Sequence, residues 1–285
     1  MTIAIVLKIG DGLVIGADSA STFADATGVS NVYFNAEKVF NLVKGLPLGA
    51  VVAGLGGLQG RSVATLAKDL RARMADPKNT DWFLDPTTYT VEDAVKRIRT
   101  FFYDELYVPE TKDWQAPSKP TMSLLVGGYS AGQARSEVWS VEIAADGTCK
   151  ESCDFPKEGA GGAVWRGLPE ALNRLLRGYS STVYDQLVAS GVPTQSATAF
   201  LAGIPVMPLI HEAMPIQDAI DLLHYLIDVT AGFVRFAPGA PVVHPPTDSA
   251  AITAHEGFRW IQRKHYFNRR LNRPIDRYNA PLGER

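Results

Sequence analysis

The sequence predicts an α+β fold, a four-layer αββα sandwich in which two antiparallel sheets pack together with helices on their outer sides. Two observations support this prediction. Strands occur in hairpins, and helices occur in consecutive pairs rather than one after each strand, which disfavours a doubly wound parallel sheet. The first hairpin is the clearest, because apolar strands at 2–8 and 13–17 flank the turn Gly10-Asp11-Gly12.

The later elements follow in the same manner. A polar loop at 19–37 leads to a second hairpin, with strands at 39–43 and 48–53. Apolar spacing of three or four residues predicts helices at 58–74, from an N-cap at Thr90 to about 106, and at 167–177, 183–189, 197–202 and 216–231. Further strands are predicted at 121–129, 137–143, 249–253 and 258–262. We take 1–262 as one domain and 263–285 as a basic extension that contacts a neighbouring subunit.

Composition excludes several classes of protein. The 285 residues are 46% hydrophobic with a net charge of -2, which disfavours nucleic acid and anionic membranes as partners. No apolar run approaches the ~18 residues that span a bilayer, and the N-terminus lacks a secretory signal pattern, so we expect a cytoplasmic protein. Cys149 and Cys153 have a spacing unlike the usual zinc pairs, and no metal or organic cofactor is expected.

Thr2 is the first candidate for chemistry. It follows the initiator methionine and leads the first strand. We expect Met1 to be removed, which would give Thr2 a free amine beside its own hydroxyl. Such a residue combines a nucleophile and its base, because an α-amine with a pKa of about 7.7–8.0 accepts a proton near neutral pH. Threonine at a chain terminus is a known variant of triad chemistry.

The residues around Thr2 carry a family resemblance. The strand ending Gly16-Ala17-Asp18-Ser19, then Thr22, Glu37-Lys38-Val39 and Val51-Val52-Ala53-Gly54 resemble the opening of proteasome β-type subunits, which are N-terminal-nucleophile (Ntn) hydrolases. The Anbu-type bacterial homologues are the most similar in pattern. The resemblance is strong over 2–74 and moderate over 121–147 and 216–262.

The resemblance implies a role for each matched residue. Lys38 would lower the proton affinity of the Thr2 amine, and Asp18 would keep Lys38 charged and oriented. Gly54 would offer its N–H to the oxyanion, since without a side chain it lets a substrate carbonyl approach closely. Thr22 would pair with the substrate backbone, and Val52 would line a pocket for mid-sized apolar side chains.

The match is weaker in the second half of the chain. Proteasome subunits place a serine in a Gly-Ser-Gly turn beside the nucleophile, and the corresponding stretch here is assigned to Gly159-Ala160-Gly161-Gly162, which has no hydroxyl. They also place an aspartate and a serine after the late helix. The resemblance assigns these roles to Asp228 and Thr230, although Thr230 also fits the apolar face of the helix and Asp228 also fits a solvent-facing position.

The sequence thus favours a threonine endopeptidase that acts through Thr2 inside a self-assembled homo-oligomeric ring. Its substrates would be peptides or unfolded chains, with an ATPase unfoldase as an optional partner. A first alternative is an inactive proteasome-like scaffold or binding ring, which the missing serine and the basic C-terminal extension favour. A second is a nucleotide-binding protein, since strand 48–53, a glycine-rich loop and a helix follow one another, but Arg61 replaces the phosphate-loop lysine.

Overall fold

The computed structural model describes residues 2–25, 28–116, 119–205, 207–265 and 268. It is a mixed α+β structure with antiparallel sheets and helices, as the order of elements predicted. Every strand pairing in these ranges is antiparallel. Within the same ranges, no helix combines the length and the apolar character that crossing a membrane requires.

In the described part of the chain, fourteen strands form two main sheets and two small ribbons. In chain order the strands are Ile3–Ile9 (β1), Gly12–Ala17 (β2), Ser21–Asp25 (β3), Gly28–Tyr33 (β4), Val39–Asn41 (β5), Leu48–Gly54 (β6), Gly57–Leu58 (β7), Arg61–Ser62 (β8), Met122–Gly128 (β9), Glu137–Ile143 (β10), Cys149–Phe155 (β11), Gly162–Gly167 (β12), Asp248–Thr253 (β13) and Gly257–Gln262 (β14). The first sheet has the order β12-β1-β2-β13-β14, and the second has the order β11-β10-β9-β6-β5. The ribbons are β3-β4 and β7-β8.

Seven α-helices and two π-helical segments complete the described structure. They are Val63–Ala75 (α1), Val91–Arg99 (α2), Val108–Glu110 (α3), Glu170–Leu172 (α4), Val183–Ala189 (α5), Thr194–Ala202 (α6) and Ile216–Phe236 (α7), with π-helical turns at Thr100–Tyr107 and Asn173–Arg177. The predicted N-cap is confirmed: Thr90 and Asp93 form a reciprocal capping box at the start of α2.

Alternate residues of β1 face two different apolar clusters, which explains why every residue of the strand except Lys8 is apolar. Ala4 and Val6 pack with residues of the second sheet, such as Val51 and Leu125. The intervening residues, including Ile5, pack in a cluster with α7. A third cluster joins the second sheet to α1 and α2. A strand buried on both faces cannot show the polar alternation of a half-exposed strand.

Three sequence predictions need correction. The polar loop predicted at 19–37 contains the ribbon β3-β4. The helix predicted from 58 begins at Val63, because 57–62 forms the ribbon β7-β8. The helix predicted from 167 begins at Glu170, because 162–167 forms β12. Neither β12 nor β11 was predicted, although β12 is the edge partner of β1. The division into 1–262 and 263–285 stays a prediction, since most of the extension lies outside the described residues.

Candidate active site

Five of the predicted residues line one small cavity. Thr2 precedes β1, Thr22 lies in β3, Lys38 precedes β5, and Val52 and Gly54 lie in β6. The remaining lining residues are mostly small: Ala20, Ser21, Ala36, Glu37, Ala53, Leu55, Gly56 and Val63. The cavity has a volume of about 30 Å³, which exceeds the ~10–15 Å³ that one water needs but is far below the ~300 Å³ of ordinary ligand pockets.

Lys38 reaches this cavity because of the pairing between β5 and β6. Val39 pairs with Val51, and the Val52 N–H donates to the Lys38 carbonyl at 3.0 Å. Lys38 is only 5% exposed, yet its ammonium has a charged partner, the fully buried Asp18, at 2.8 Å. The strand register thus brings a buried cation to the cavity that Thr2 also lines.

Asp18 is held by four hydrogen-bond donors. Its Oδ1 accepts from Lys38 Nζ at 2.8 Å and from the Ile3 N–H at 3.1 Å. Its Oδ2 accepts from the Ala20 N–H at 2.8 Å and from the His244 N–H at 3.2 Å. Three of the donors are backbone groups. One of them is the N–H of Ile3, the first residue of β1, so the carboxylate is fixed relative to the residue that follows Thr2.

Burial lowers the pKa of Lys38 below its ordinary value of 10.5, while the charge of Asp18 and its hydrogen bond raise it. The positive charge of Lys264 adds to the lowering, and the negative charge of Asp248 opposes it. An ammonium at this position would also lower the pKa of a free amine on Thr2, because two like charges disfavour each other. The arrangement therefore favours an unprotonated amine, which is the form that acts as a base.

Gly54 is required by the backbone. Its φ is +93°, and a Cβ added there would lie 2.4 Å from the carbonyl oxygen of Thr121. Any other residue would combine a left-handed backbone with a steric clash. A glycine is therefore needed at this position of the cavity wall.

Thr22 supplies an unused polar atom. Its Oγ1 is fully covered and has no hydrogen-bond partner among the described residues. A buried hydroxyl without a partner costs free energy, and a ligand that offers a donor or an acceptor in the cavity would recover it. The role of Thr22 in holding substrate stays a prediction.

The stretch assigned to the Gly-Ser-Gly turn is wrong. The antiparallel register pairs Gly162 with Lys8, at the opposite end of β1 from Thr2. The stretch beside Thr2 contains Gly167 and Leu168, and the Leu168 N–H donates to the Thr2 carbonyl at 2.8 Å. A Cβ on Gly167 would come within 1.8 Å of that same carbonyl oxygen. Neither of these two residues carries a hydroxyl, so the expectation of a missing serine applies here instead.

Asp228 and Thr230 are not among the residues that line the cavity. Asp228 is exposed on α7. Thr230 is buried on the apolar face of that helix, and its hydroxyl donates to the Leu226 carbonyl at 2.9 Å, one turn earlier. Their assignment to the site stays a prediction without a contact at the cavity to support it.

Sequence reasoning missed a second polar group beside Asp18. Lys264 Nζ lies 2.5 Å from Asp248 Oδ2 and 2.5 Å from Ser19 Oγ. Asp248 opens β13 and pairs with Ala17 of β2, so it lies next to Asp18 across the sheet. No local pattern could have found this group, because it depends on the pairing of strands more than 200 residues apart.

The glycine-rich loop does not have the structure of a phosphate loop. Residues 57–62 form the ribbon β7-β8 between β6 and α1. The first turn of α1 is already capped, since Ser62 Oγ accepts from the Thr65 N–H and the Val63 N–H donates to the Gly56 carbonyl. A nucleotide phosphate would need those amides free. The fold therefore favours the nucleotide alternative less than the sequence did.

Comparison with known proteins shows a distant similarity at the level of structure. No family model matches the chain, and no curated protein sequence matches it. Among solved structures, the chain is similar to the (Gly-1) mutant of Anbu from Hyphomicrobium sp. strain MC1, with 16% identity and a TM-score of 0.48. The match covers 93% of this chain and 86% of that one. The chemistry of the site rests on its own geometry.

Proposed function

We propose that this chain is a threonine peptidase of the Ntn class, with Thr2 as nucleophile after removal of Met1. The observation that carries the proposal is the buried Lys38–Asp18 ion pair, whose lysine lines the same cavity as Thr2. Lysine is rarely buried unless it is paired, and here the pair lies beside a residue that one trimming step converts into an N-terminal nucleophile.

The reaction uses groups of this chain alone. The Thr2 hydroxyl attacks the scissile carbonyl carbon while its proton passes to the Thr2 amine. The oxyanion is held by the N–H of Gly54, an interaction worth about 3–4 kcal/mol in comparable sites. The amine then gives the proton to the departing amino group, which leaves an ester on Thr2. Water hydrolyses that ester by the same route in reverse, releasing the new carboxyl terminus.

The shape of the cavity sets an expectation for the substrate. Its volume of about 30 Å³ accommodates a small side chain more easily than the mid-sized one that Val52 alone suggested. Thr22, which lines the same cavity, is proposed to pair with the substrate backbone. We therefore expect cleavage after small apolar residues.

The three apolar clusters support a further structural proposal, the four-layer sandwich of Ntn hydrolases. By the resemblance of residues 2–74, we also propose a homo-oligomeric ring whose interior admits peptides or unfolded chains, with an ATPase unfoldase as an optional partner. Native mass spectrometry tests the ring directly. A monomer at micromolar concentration would contradict it.

The test of the peptidase is intact mass before and after treatment with a peptide epoxyketone, which reacts with an N-terminal threonine through both its hydroxyl and its amine. We expect the loss of one methionine and one adduct per chain. A matched Thr2→Ala variant should lose the methionine, because alanine is also small, but should gain no adduct. A trimmed wild-type protein that gains no adduct would refute the proposal.

One observation favours a second candidate, an inactive ring that serves as a scaffold. No hydroxyl side chain is present in Gly167-Leu168, beside Thr2, and the Thr230 hydroxyl is engaged with the Leu226 carbonyl. The scaffold candidate predicts an assembled ring with no adduct, whereas the peptidase predicts both. The two measurements together distinguish them.

A further inference from the structure

A second, largely buried ion pair lies close enough to the Asp18–Lys38 pair for both of its charges to act on Lys38. Asp248 is 2% exposed, and its Oδ2 accepts from Lys264 Nζ at 2.5 Å. The backbone N–H of Lys264 also donates to Asp248 Oδ1 at 3.0 Å, so both the side chain and the backbone of Lys264 hydrogen-bond to the same carboxylate. Neither Asp248 nor Lys264 lines the cavity. Whatever this second pair does for the cavity, it must do through other residues.

Ser19 connects the two pairs. It is fully buried and follows Asp18 in the chain. Its hydroxyl accepts from Lys264 Nζ at 2.5 Å and donates to the Pro246 carbonyl. Its N–H donates to the His244 carbonyl at 3.0 Å, and the His244 N–H donates back to Asp18 Oδ2 at 3.2 Å. Asp18 and Ser19 are thus held by hydrogen bonds to the segment that precedes β13, and Ser19 is also held by a hydrogen bond from Lys264.

We propose that Lys264 is a positioning residue, which fixes Ser19 and thereby holds the Asp18–Lys38 pair in register with Thr2. The inference rests on the proposed peptidase function, and it adds a group from the far end of the chain that the sequence resemblance did not include. A displacement of about 1 Å in a supporting group can slow a reaction about 100-fold, so a clamp one residue from Asp18 is close enough to matter.

The same contacts give an electrostatic signature. The charged groups that act on Lys38 are Asp18, Asp248 and Lys264. Lys264 lowers the pKa of Lys38 and Asp248 raises it. Lys264→Met should therefore raise the pKa of Lys38, Asp248→Asn should lower it, and the double variant should return it toward the wild-type value. These shifts test whether the second pair acts on Lys38, and the labelling rate at Thr2 tests whether it positions the site.

The experiment measures the rate of epoxyketone labelling at Thr2 by intact mass in four variants. Lys264→Met should label about tenfold more slowly, and Lys264→Arg, which keeps the charge, should recover part of the rate. Ser19→Ala keeps both ion pairs and loses only the connecting hydroxyl, so it should also slow labelling. The matched control is Ser249→Ala, because Ser249 is equally buried but its hydroxyl pairs with His224 Nε2. The control should label within twofold of wild type.

NMR of isotope-labelled lysine supplies the second readout, the pKa of Lys38 in each folded variant. If Lys264→Met does not fold, Ser19→Ala and the Asp248→Asn/Lys264→Met double variant take its place. Folded variants that label at the wild-type rate with an unchanged Lys38 titration would overturn the positioning role and leave the peptidase intact. A trimmed wild-type protein that does not label would remove both proposals, even if the Lys38 titration shifts as expected.

Discussion

Replacing Asp18 by asparagine tests the centre of the site. The carboxylate accepts from four donors, two at each oxygen. An asparagine amide group must point its NH₂ at one of these two pairs of donors, so at least two of them lose an acceptor. The Lys38 ammonium also loses its counter-charge while only 5% exposed. Removal of one partner of a buried ion pair costs about 3–5 kcal/mol, out of the ~5–15 kcal/mol that stabilises a typical domain.

The loss of stability in Asp18→Asn should depend on pH, and the direction of this dependence can be worked out. Asp18 raises the pKa of Lys38, so its removal lowers that pKa further below 10.5. Between the folded pKa and 10.5 the unfolded chain then binds more protons than the native one, and stability rises with pH. The difference in unfolding free energy between Asp18→Asn and wild type should therefore narrow as the pH rises, because Lys38 can lose its proton and is then no longer an unpaired buried charge.

Urea unfolding at several pH values measures this gap. Asp69→Asn is the matched control, since it makes the same chemical change in the Arg61–Asp69 pair, whose side chains are 47% and 41% exposed. An exposed pair contributes about 0–1 kcal/mol. The double variant Asp18→Asn/Lys38→Met should be more stable than Asp18→Asn alone, because it removes the unpaired charge. A loss below about 1 kcal/mol, or one that does not change with pH, would refute the reasoning.

Two further predictions concern the cavity wall and the acid side of the stability curve. In urea unfolding, Gly54→Ala should lower the free energy of unfolding more than Gly60→Ala does. Both glycines have a positive φ, but only at Gly54 would the new Cβ meet a carbonyl oxygen, at 2.4 Å, while the space around Gly60 is open. Equal losses of stability in the two variants would show that the clash is relieved at no cost. Glu170 has its pKa lowered from 4.5 to about 2 by hydrogen bonds from Ser180, Ser181 and Arg174, which outweigh the opposing effect of burial. Because the folded pKa is depressed, the stabilisation is present above 4.5 and is lost as pH falls through about 2. Glu170→Gln should therefore have a free energy of unfolding about 1 kcal/mol below that of wild type at neutral pH, a value reduced to allow for solvent screening. The difference between the two proteins should disappear in acid.

The sequence predicted best those elements that bury an apolar face. The hairpin β1-β2 followed from an apolar run and a glycine turn, and α7, which has a buried apolar face, begins at Ile216 as predicted. The missed strand β11 has the opposite character. β11 is Cys149–Phe155, with no residue fully buried, and it lies at the edge of its sheet. Strands of this kind carry polar residues that leave no periodic apolar signal.

The residues of the site also fall into those that the sequence could predict and those that it could not. Asp18, Lys38 and Gly54 lie at or next to strand ends close to Thr2 in sequence, so local spacing and the family resemblance could suggest them. Asp248 and Lys264 reach Ser19 only because β13 pairs with β2. The same limit explains the misplaced Gly-Ser-Gly stretch, since β12 was not predicted and its register against β1 decides which of its ends lies beside Thr2.

Two buried ion pairs in one cluster are an unusual way to stabilise a fold. A buried pair gains little over apolar side chains of the same volume, because desolvation offsets most of the attraction between the charges. Yet Asp18–Lys38 and Asp248–Lys264 are joined through a single buried serine. Apolar residues could fill this volume, but they could not hold an ammonium at a fixed position on the wall that Thr2 shares. The charges therefore fit the proposed chemistry of the cavity better than a role in stability. On this proposal, perturbing the second pair should slow the reaction of Thr2 without any contact to it.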